Sequence, residues 1–188
     1  MLDNLELHTD RLTLRVLDAP FAERVLDFYT RNREFLQEWS PAPPAEFYTL
    51  AFQRERLEAE LELIRRGQLL RLWLFRREDA AFATAIGSVA FNNIVRGSFQ
   101  SCHLGYQIDQ AEINRGLITE ALRRAIAYAF DELGLHRVEA NVMPRNARSR
   151  RVVEKLGFVD EGLSRKYLKI NGAWEDHIHY VMLNPDVE

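Results

Sequence analysis

What this 188-residue chain lacks narrows its chemistry first. It has a single cysteine, Cys102, which excludes an intramolecular disulfide and leaves no cluster of Cys and His at the short spacing of a zinc site, so no metal is expected. No apolar run approaches the roughly 18 to 20 residues that cross a bilayer, and the N-terminal stretch, with Asp3, Glu6 and Asp10, lacks the basic and apolar layout of a secretory leader. The sequence therefore predicts a cytoplasmic protein without a membrane partner. A net charge of −3 gives no general attraction to polyanions, and direct sequence-specific nucleic-acid binding is not expected. Internal repeats, linkers and low-complexity tracts are absent. What remains, 47% hydrophobic and 28% charged residues, is the composition of one globular domain spanning 1–188 with a core large enough to need no staples. Nothing in the chain decides between a monomer and a homodimer.

The most informative stretch is 104–133. Leu104 to Asp109 reads as a strand, followed by a polar loop and a helix whose apolar residues, Ile118, Ala121, Leu122, Ala125, Ile126, Ala129, Phe130 and Leu133, follow the i, i+3, i+4 spacing of a core-facing helix. Gly134 stops it. The entry turn, Asn114-Arg115-Gly116-Leu117-Ile118-Thr119, places several backbone N–H groups without intrahelical partners beside the positive end of the helix dipole, which suits a diphosphate.

Residues 11–17 alternate as a half-buried strand, and Asp18-Ala19-Pro20 turns into a helix over about 21–32, with a further turn through Phe35 and Leu36. Three of the six prolines crowd into Pro41, Pro43 and Pro44 after Trp39 and break helical structure there. A second helix is predicted over about 45–66. Three strands follow near 69–75, 85–92 and 99–109, with turns short enough for antiparallel hairpins. After the helix at 117–133 come a strand at 137–143, a short helix at 147–156 ending at Gly157, and two strands hinged at Asn171-Gly172, a strong hairpin signal. The order β, α, α, β, β, β, α, β, α, β, β predicts an α/β unit around a mixed sheet.

Several side chains could carry chemistry. Asn146 and Ser149 occupy the N-cap and N3 positions of the short helix, where capping is the plain reading. Arg145, Arg148, Arg151 and Lys155 fall near one stripe of that helix, which suits either solvent or an anionic partner. With Ile178, Tyr180 and Met182 facing inward, alternation places His177 and His179 outside and Asp176 inside. A buried carboxylate needs partners, so Asp176 is either catalytic or an anchor for neighbouring backbone. Cys102 alternates with Leu104 and Tyr106 and reads as a small core residue.

Taken together, Arg115-Gly116-Leu117-Ile118-Thr119-Glu120-Ala121, Asn146-Ala147-Arg148-Ser149, Leu156-Gly157-Phe158, Ala140-Asn141-Val142-Met143-Pro144 and Asn171-Gly172-Ala173-Trp174-Glu175-Asp176-His177 resemble the GNAT superfamily of acetyl-CoA-dependent N-acetyltransferases. Within it, the chain looks most like the RimJ type, which acetylates the N-terminal alanine of ribosomal protein S5. The resemblance implies a mostly antiparallel sheet that splays between the strands at 104–109 and 137–143, and acetyl-CoA as cosubstrate. It also implies that backbone groups around Tyr106, Gln107 and Ile108 hold the pantetheine and polarise the thioester, and that the turn from Asn114 to Thr119 binds the pyrophosphate. Asn141 and Asn146 would also contact the coenzyme, and Ser149 would lie near its sulfur as a proton donor. Asn114 stands where the loop commonly carries glycine, a position Asn tolerates because it enters left-handed backbone more readily than most residues. Val153 stands where many members carry a Tyr acid, and Lys166 where related enzymes carry a carboxylate. Glu120 and Asp176 are then the candidates for assisting amine deprotonation, directly or through water. The acceptor implied is a protein N-terminus; a small-molecule amine, or a catalytically weak coenzyme-binding ribosome-associated role, are the alternatives.

Overall fold

A computed structural model of the chain describes residues 2–187. Two short strands, β1 (Glu6–His8) and β2 (Leu12–Arg15), lead into helices α1 (Ala22–Arg31), α2 (Arg33–Gln37) and α3 (Leu50–Arg65). Strands β3 (Leu70–Arg76), β4 (Gly87–Val95) and β5 (Ser101–Ile108) come next. Helix α4 (Leu117–Asp131), strand β6 (Arg137–Val142), helix α5 (Ala147–Leu156) and the hairpin of β7 (Val159–Ile170) and β8 (Ala173–Leu183) complete the chain. The strands form one sheet in the order β1-β2-β3-β4-β5-β6-β8-β7. All pairings are antiparallel except β5 with β6.

Period-two alternation sorts the sheet's two faces. Leu70, Leu72 and Leu74 of β3 turn toward α4, whose Ala121, Leu122, Ala125 and Ile126 fill the larger core. Trp73 and Phe75 turn the other way, onto Val25, Phe28 and Tyr29 of α1 and Leu57 of α3. Trp73 and Phe28 meet edge to face, with ring centroids 5.5 Å apart, a geometry favoured by the ring quadrupoles. Fully burying a side chain such as Phe28 stabilises the fold by about 1.5–3 kcal/mol, so each helical layer is held mainly by its apolar stripe.

The structure refines the reading of the sequence at three places. The stretch expected as one helix over 45–66 divides: Ala45–Tyr48 is a single 3-10 turn, and Thr49, whose hydroxyl accepts from the Phe52 N–H at 3.3 Å, caps α3. The short β1 was not anticipated, because its three residues offer too little alternation to register. His177, expected on an outward face, is only 3% exposed. Alternation assigns a residue to a face, but it does not say whether that face is covered.

The feature that positions the site is the junction of β5 and β6. They pair over only three residues, from Ser101 with Arg137 to His103 with Glu139. Beyond that point β5 stays with β4, out to the Gly87–Ile108 pair, and β6 stays with β8, out to the Val142–Ile178 pair. Each strand follows its own antiparallel partner as the sheet twists, so the two part company. The β5 edge facing β6 is left without a ladder from Leu104 onward, and its backbone groups are available to something else.

Candidate active site

The gap between the strands opens into a cavity of about 550 Å³ that reaches both faces of the sheet, within the range of small-ligand sites. On the α4–α5 side its walls include Tyr106, Ile108, Asn114, Gly116, Ile118, Thr119, Asn146, Ser149, Arg151 and Lys155. On the α1–α3 side they include Trp39, Arg71, Ser88, Gln107, Asn141 and His177. Pairing fixes this division: Ser88 lies opposite Gln107, and Asn141 opposite His179, so these residues share one face with His177, two positions along β8.

The turn entering α4 has the backbone a phosphate cradle needs. Asn114 adopts φ +61° and Gly116 φ +76°, both left-handed, and Gly116 serves as the N-cap of α4. Asn114 thus takes up the geometry normally left to glycine at that loop position. The first intrahelical bond runs from the Glu120 N–H to the Gly116 carbonyl at 3.1 Å, so the N–H groups just before it have no partner within the helix. Arg148, Arg151 and Lys155 also line the cavity, and none forms an ion pair among the described residues. Two helix-entry turns with the unpaired Arg151 and Lys155 on one wall fit the pyrophosphate and adenine-nucleotide end of a coenzyme, while the Arg148 guanidinium lies 6.0 Å from the ring centre of Phe35 on α2. The adjoining unpaired edge of β5 fits its amide-bearing arm.

Asn146 accepts from the Ser149 N–H at 3.1 Å, so its side-chain oxygen caps α5 and its amide nitrogen alone is left for a ligand. The Ser149 hydroxyl meets the Tyr106 phenol at 2.7 Å, and the phenol also donates to the Ser149 carbonyl at 3.2 Å. Burial pushes the Tyr106 phenol up to about 12, against the opposing effect of the Ser149 hydrogen bond. Val153, where many superfamily members carry Tyr, is buried in the core, and in this chain a phenol reaches Ser149 from the opposite wall instead. Sequence reading used only the backbone of Tyr106; its hydroxyl becomes visible only once β5 and α5 are brought together.

Three expected site residues lie elsewhere. The Glu120 carboxylate does not line the cavity; it accepts from the Arg11 backbone N–H at 3.0 Å and from its guanidinium at 2.6 Å. Burial opposes its ionisation, but hydrogen bonds from Thr9 and Arg11 outweigh this and hold the carboxyl below the usual range. Glu120 fastens the start of β2 to the turn entering α4, since Arg11 also donates to the Arg115 carbonyl at 3.0 Å. Asp176 shares the Ile178–Tyr180 face but is spent on backbone, its carboxylate accepting from the Lys166 N–H at 2.8 Å. Lys166 sits in a bulge of β7 at φ +49°, where the ladder cannot satisfy that N–H, so the anchoring alternative describes Asp176. The Arg115 side chain turns to Glu112, 3.1 Å away, leaving only its backbone at the turn. Arg145 likewise leaves the basic stripe, pairing with Glu38 and Glu175. Cys102 is buried, and burial raises its thiol to about 12, in keeping with a core residue.

The profile of the acetyltransferase (GNAT) domain family matches residues 11–159. This chain belongs to the GNAT acetyltransferase family. The Bacillus subtilis protein named probable N-acetyltransferase YjcK is 41% identical over 93% of this chain and 95% of its own length. The Escherichia coli [ribosomal protein uS5]-alanine N-acetyltransferase is 37% identical over 97% of this chain and 92% of its own length. A crystal structure of the ribosomal-protein-S5-alanine acetyltransferase from Vibrio fischeri superposes with a TM-score of 0.92 at 31% identity, covering 98% of this chain and all of that one. The GNAT chain is accordingly an acyltransferase with acetyl-CoA as cosubstrate, and its splayed mixed sheet is the fold that the motifs implied.

Proposed function

We propose that this acetyltransferase acts on a free α-amino group, the N-terminal alanine of an S5-like ribosomal protein. The observation that carries this is the continuity of the cavity through the sheet. The coenzyme groove on the α4–α5 side and an open pocket on the α1–α3 side meet at the splay of β5 and β6, so an amine entering from one face can reach an acetyl group presented from the other. The unpaired backbone edge of β5 beside Tyr106, Gln107 and Ile108 would hold the thioester end of acetyl-CoA and place N–H donors where charge develops on its carbonyl oxygen. Asn114, Gly116, Leu117, Ile118 and Thr119, with Asn146, Arg151 and Lys155 of α5, would hold its phosphates. Direct attack in a ternary complex needs no nucleophile from the chain, and among the described residues no thiol lines the cavity.

The α-amine class is supported by acidity. An N-terminal amine has a reference pKa of roughly 7.7–8.0 against about 10.4 for lysine, so an appreciable fraction is neutral at cellular pH. The ribosomal acceptor is supported by the relatives from Escherichia coli and Vibrio fischeri, and with it a cytoplasmic location. Mass spectrometry of ribosomal proteins from cells with and without the gene tests it: the S5 N-terminus is expected to lose one acetyl group on deletion. An unchanged S5 mass would sink this acceptor.

A further inference from the structure

We propose that His177 is the proton acceptor of the reaction, its Nε2 taking a proton from the attacking primary amine on the α1–α3 face of the sheet. This rests on the amine-acetylation reading above and adds the residue that activates the amine. Among the described residues lining the cavity, only Glu112 and His177 are able to accept a proton near neutrality. Glu112 is taken by the guanidinium groups of Arg76 and Arg115. His177 is not taken. Its Nδ1 lies 3.1 Å from the Glu175 carbonyl oxygen, an atom that can only accept, so Nδ1 carries the hydrogen and Nε2 keeps its lone pair. Among the described residues, no group bonds to Nε2.

The surroundings favour a neutral, well-oriented ring. Tyr167 of β7 packs against it with ring centroids 5.4 Å apart. The charged and titratable groups near it are Glu175, Asp176 and His179 on its own strand, Tyr167 on β7, Glu139 of β6 beyond His179, and Arg145, which pairs with Glu175. Burial draws the imidazole below its ordinary value, and the hydrogen bond and charge of Glu175 only partly oppose this. The same cavity face carries two further acceptors, the side-chain oxygens of Gln107 and Asn141, both buried without a partner. The proton passes from the ammonium nitrogen to Nε2 and then to solvent, which frees the nitrogen lone pair. The C–N bond then forms as the C–S bond breaks, and the second amine proton ends on sulfur.

Two measurements test this. In the wild-type protein at pH 7, nitrogen-15 shifts of His177 should show a neutral ring protonated at Nδ1; a cationic ring, or one protonated at Nε2, overturns the proposal without reference to turnover. With a heptapeptide bearing a free N-terminal alanine, H177Q should lose about 10-fold in kcat at pH 7, because only about a tenth of such an amine is neutral there unaided. It should keep its acetyl-CoA affinity and recover toward wild type by pH 9, where the amine deprotonates unaided. A kcat within threefold of wild type at pH 7, or an unchanged acid limb, overturns it. If the wild type leaves the peptide untouched but acetylates 2-phenylethylamine, the acceptor reading fails and the same comparison with that amine still judges His177. If neither is acetylated, the ring's protonation state decides.

Discussion

On the proposed reaction the Tyr106 phenol and the Ser149 hydroxyl, which meet on the cavity wall, would face developing charge on the departing sulfur, and their acidities decide how. Burial holds the phenol at about 12, whereas a thiol ordinarily ionises near 8.5. Full proton transfer from the phenol would run uphill by roughly 3 to 4 pKa units, or about 5 kcal/mol. The pair would therefore act chiefly by hydrogen bonding, the phenol moving its one proton from the Ser149 carbonyl to the Ser149 hydroxyl as the serine turns its own toward sulfur. Either S149A or Y106F should then lower thiol release by about 10-fold, short of the 100- to 10,000-fold expected for an obligate general acid. The double variant should lose more than either single one. A 1,000-fold loss in S149A alone would show that serine is the acid outright. At this scale the sequence was legible where a residue's role is local: Asn146 and Ser149 cap α5 as their spacing requires. It was illegible where the partner is remote. Nothing near Glu120 in sequence announces Arg11, 109 positions away, and nothing near Ser149 announces Tyr106.

Elements follow the sequence where hydrophobic period and turn chemistry agree. Asn171 and Gly172, at φ +46° and +85°, make the two-residue turn between β7 and β8 that Asn-Gly favours, and α4 buries the stripe its spacing marks. The splay is different, because it depends on which partner each strand keeps, and no periodicity encodes that. Gly87 is one residue that shapes it. A Cβ built there would lie 2.5 Å from the Gln107 carbonyl oxygen and 3.1 Å from Leu74 Cδ1, so β4 and β5 can come this close only over glycine. G87A should cost about 1–3 kcal/mol, the usual range for overpacking, read from urea midpoints. Because the clash falls on the β5 backbone beside the gap proposed to hold the coenzyme, acetyl-CoA affinity should fall as well. Stability lost with affinity intact would mean that the clash is relieved on the Leu74 side.

At the scale of the whole molecule, the α1–α3 layer and strand β5 are tied together by Asp109, just past the end of β5. Its carboxylate accepts from Arg31 of α1 at 2.7 Å and from the Ala111 N–H at 2.9 Å, while Asn32 accepts from the Gln110 N–H at 2.9 Å. Burial alone would raise this carboxyl, but the hydrogen bonds from Ala111, Arg31 and Asn32 and the Arg31 charge outweigh it, so its pKa lies below the ordinary value. A group depressed in the folded state contributes stability that is fully present above its unfolded value, about 3.9 for Asp, and that is lost as pH falls through the folded value. D109N keeps an oxygen that can accept from Ala111 but loses the charge facing Arg31. At pH 7 it should be less stable than wild type by about 1–3 kcal/mol, the scale of a charged hydrogen bond removed from a largely buried site. Urea unfolding at a series of pH values should show that gap steady from pH 8 to about 5, then narrowing as acid protonates Asp109 in the wild type. A gap that stayed constant down to pH 3 would mean that shape rather than charge makes Asp109 the clasp. Coenzyme binding should weaken together with stability in this variant, because the strand whose unpaired edge faces the gap is the strand that Asp109 ends.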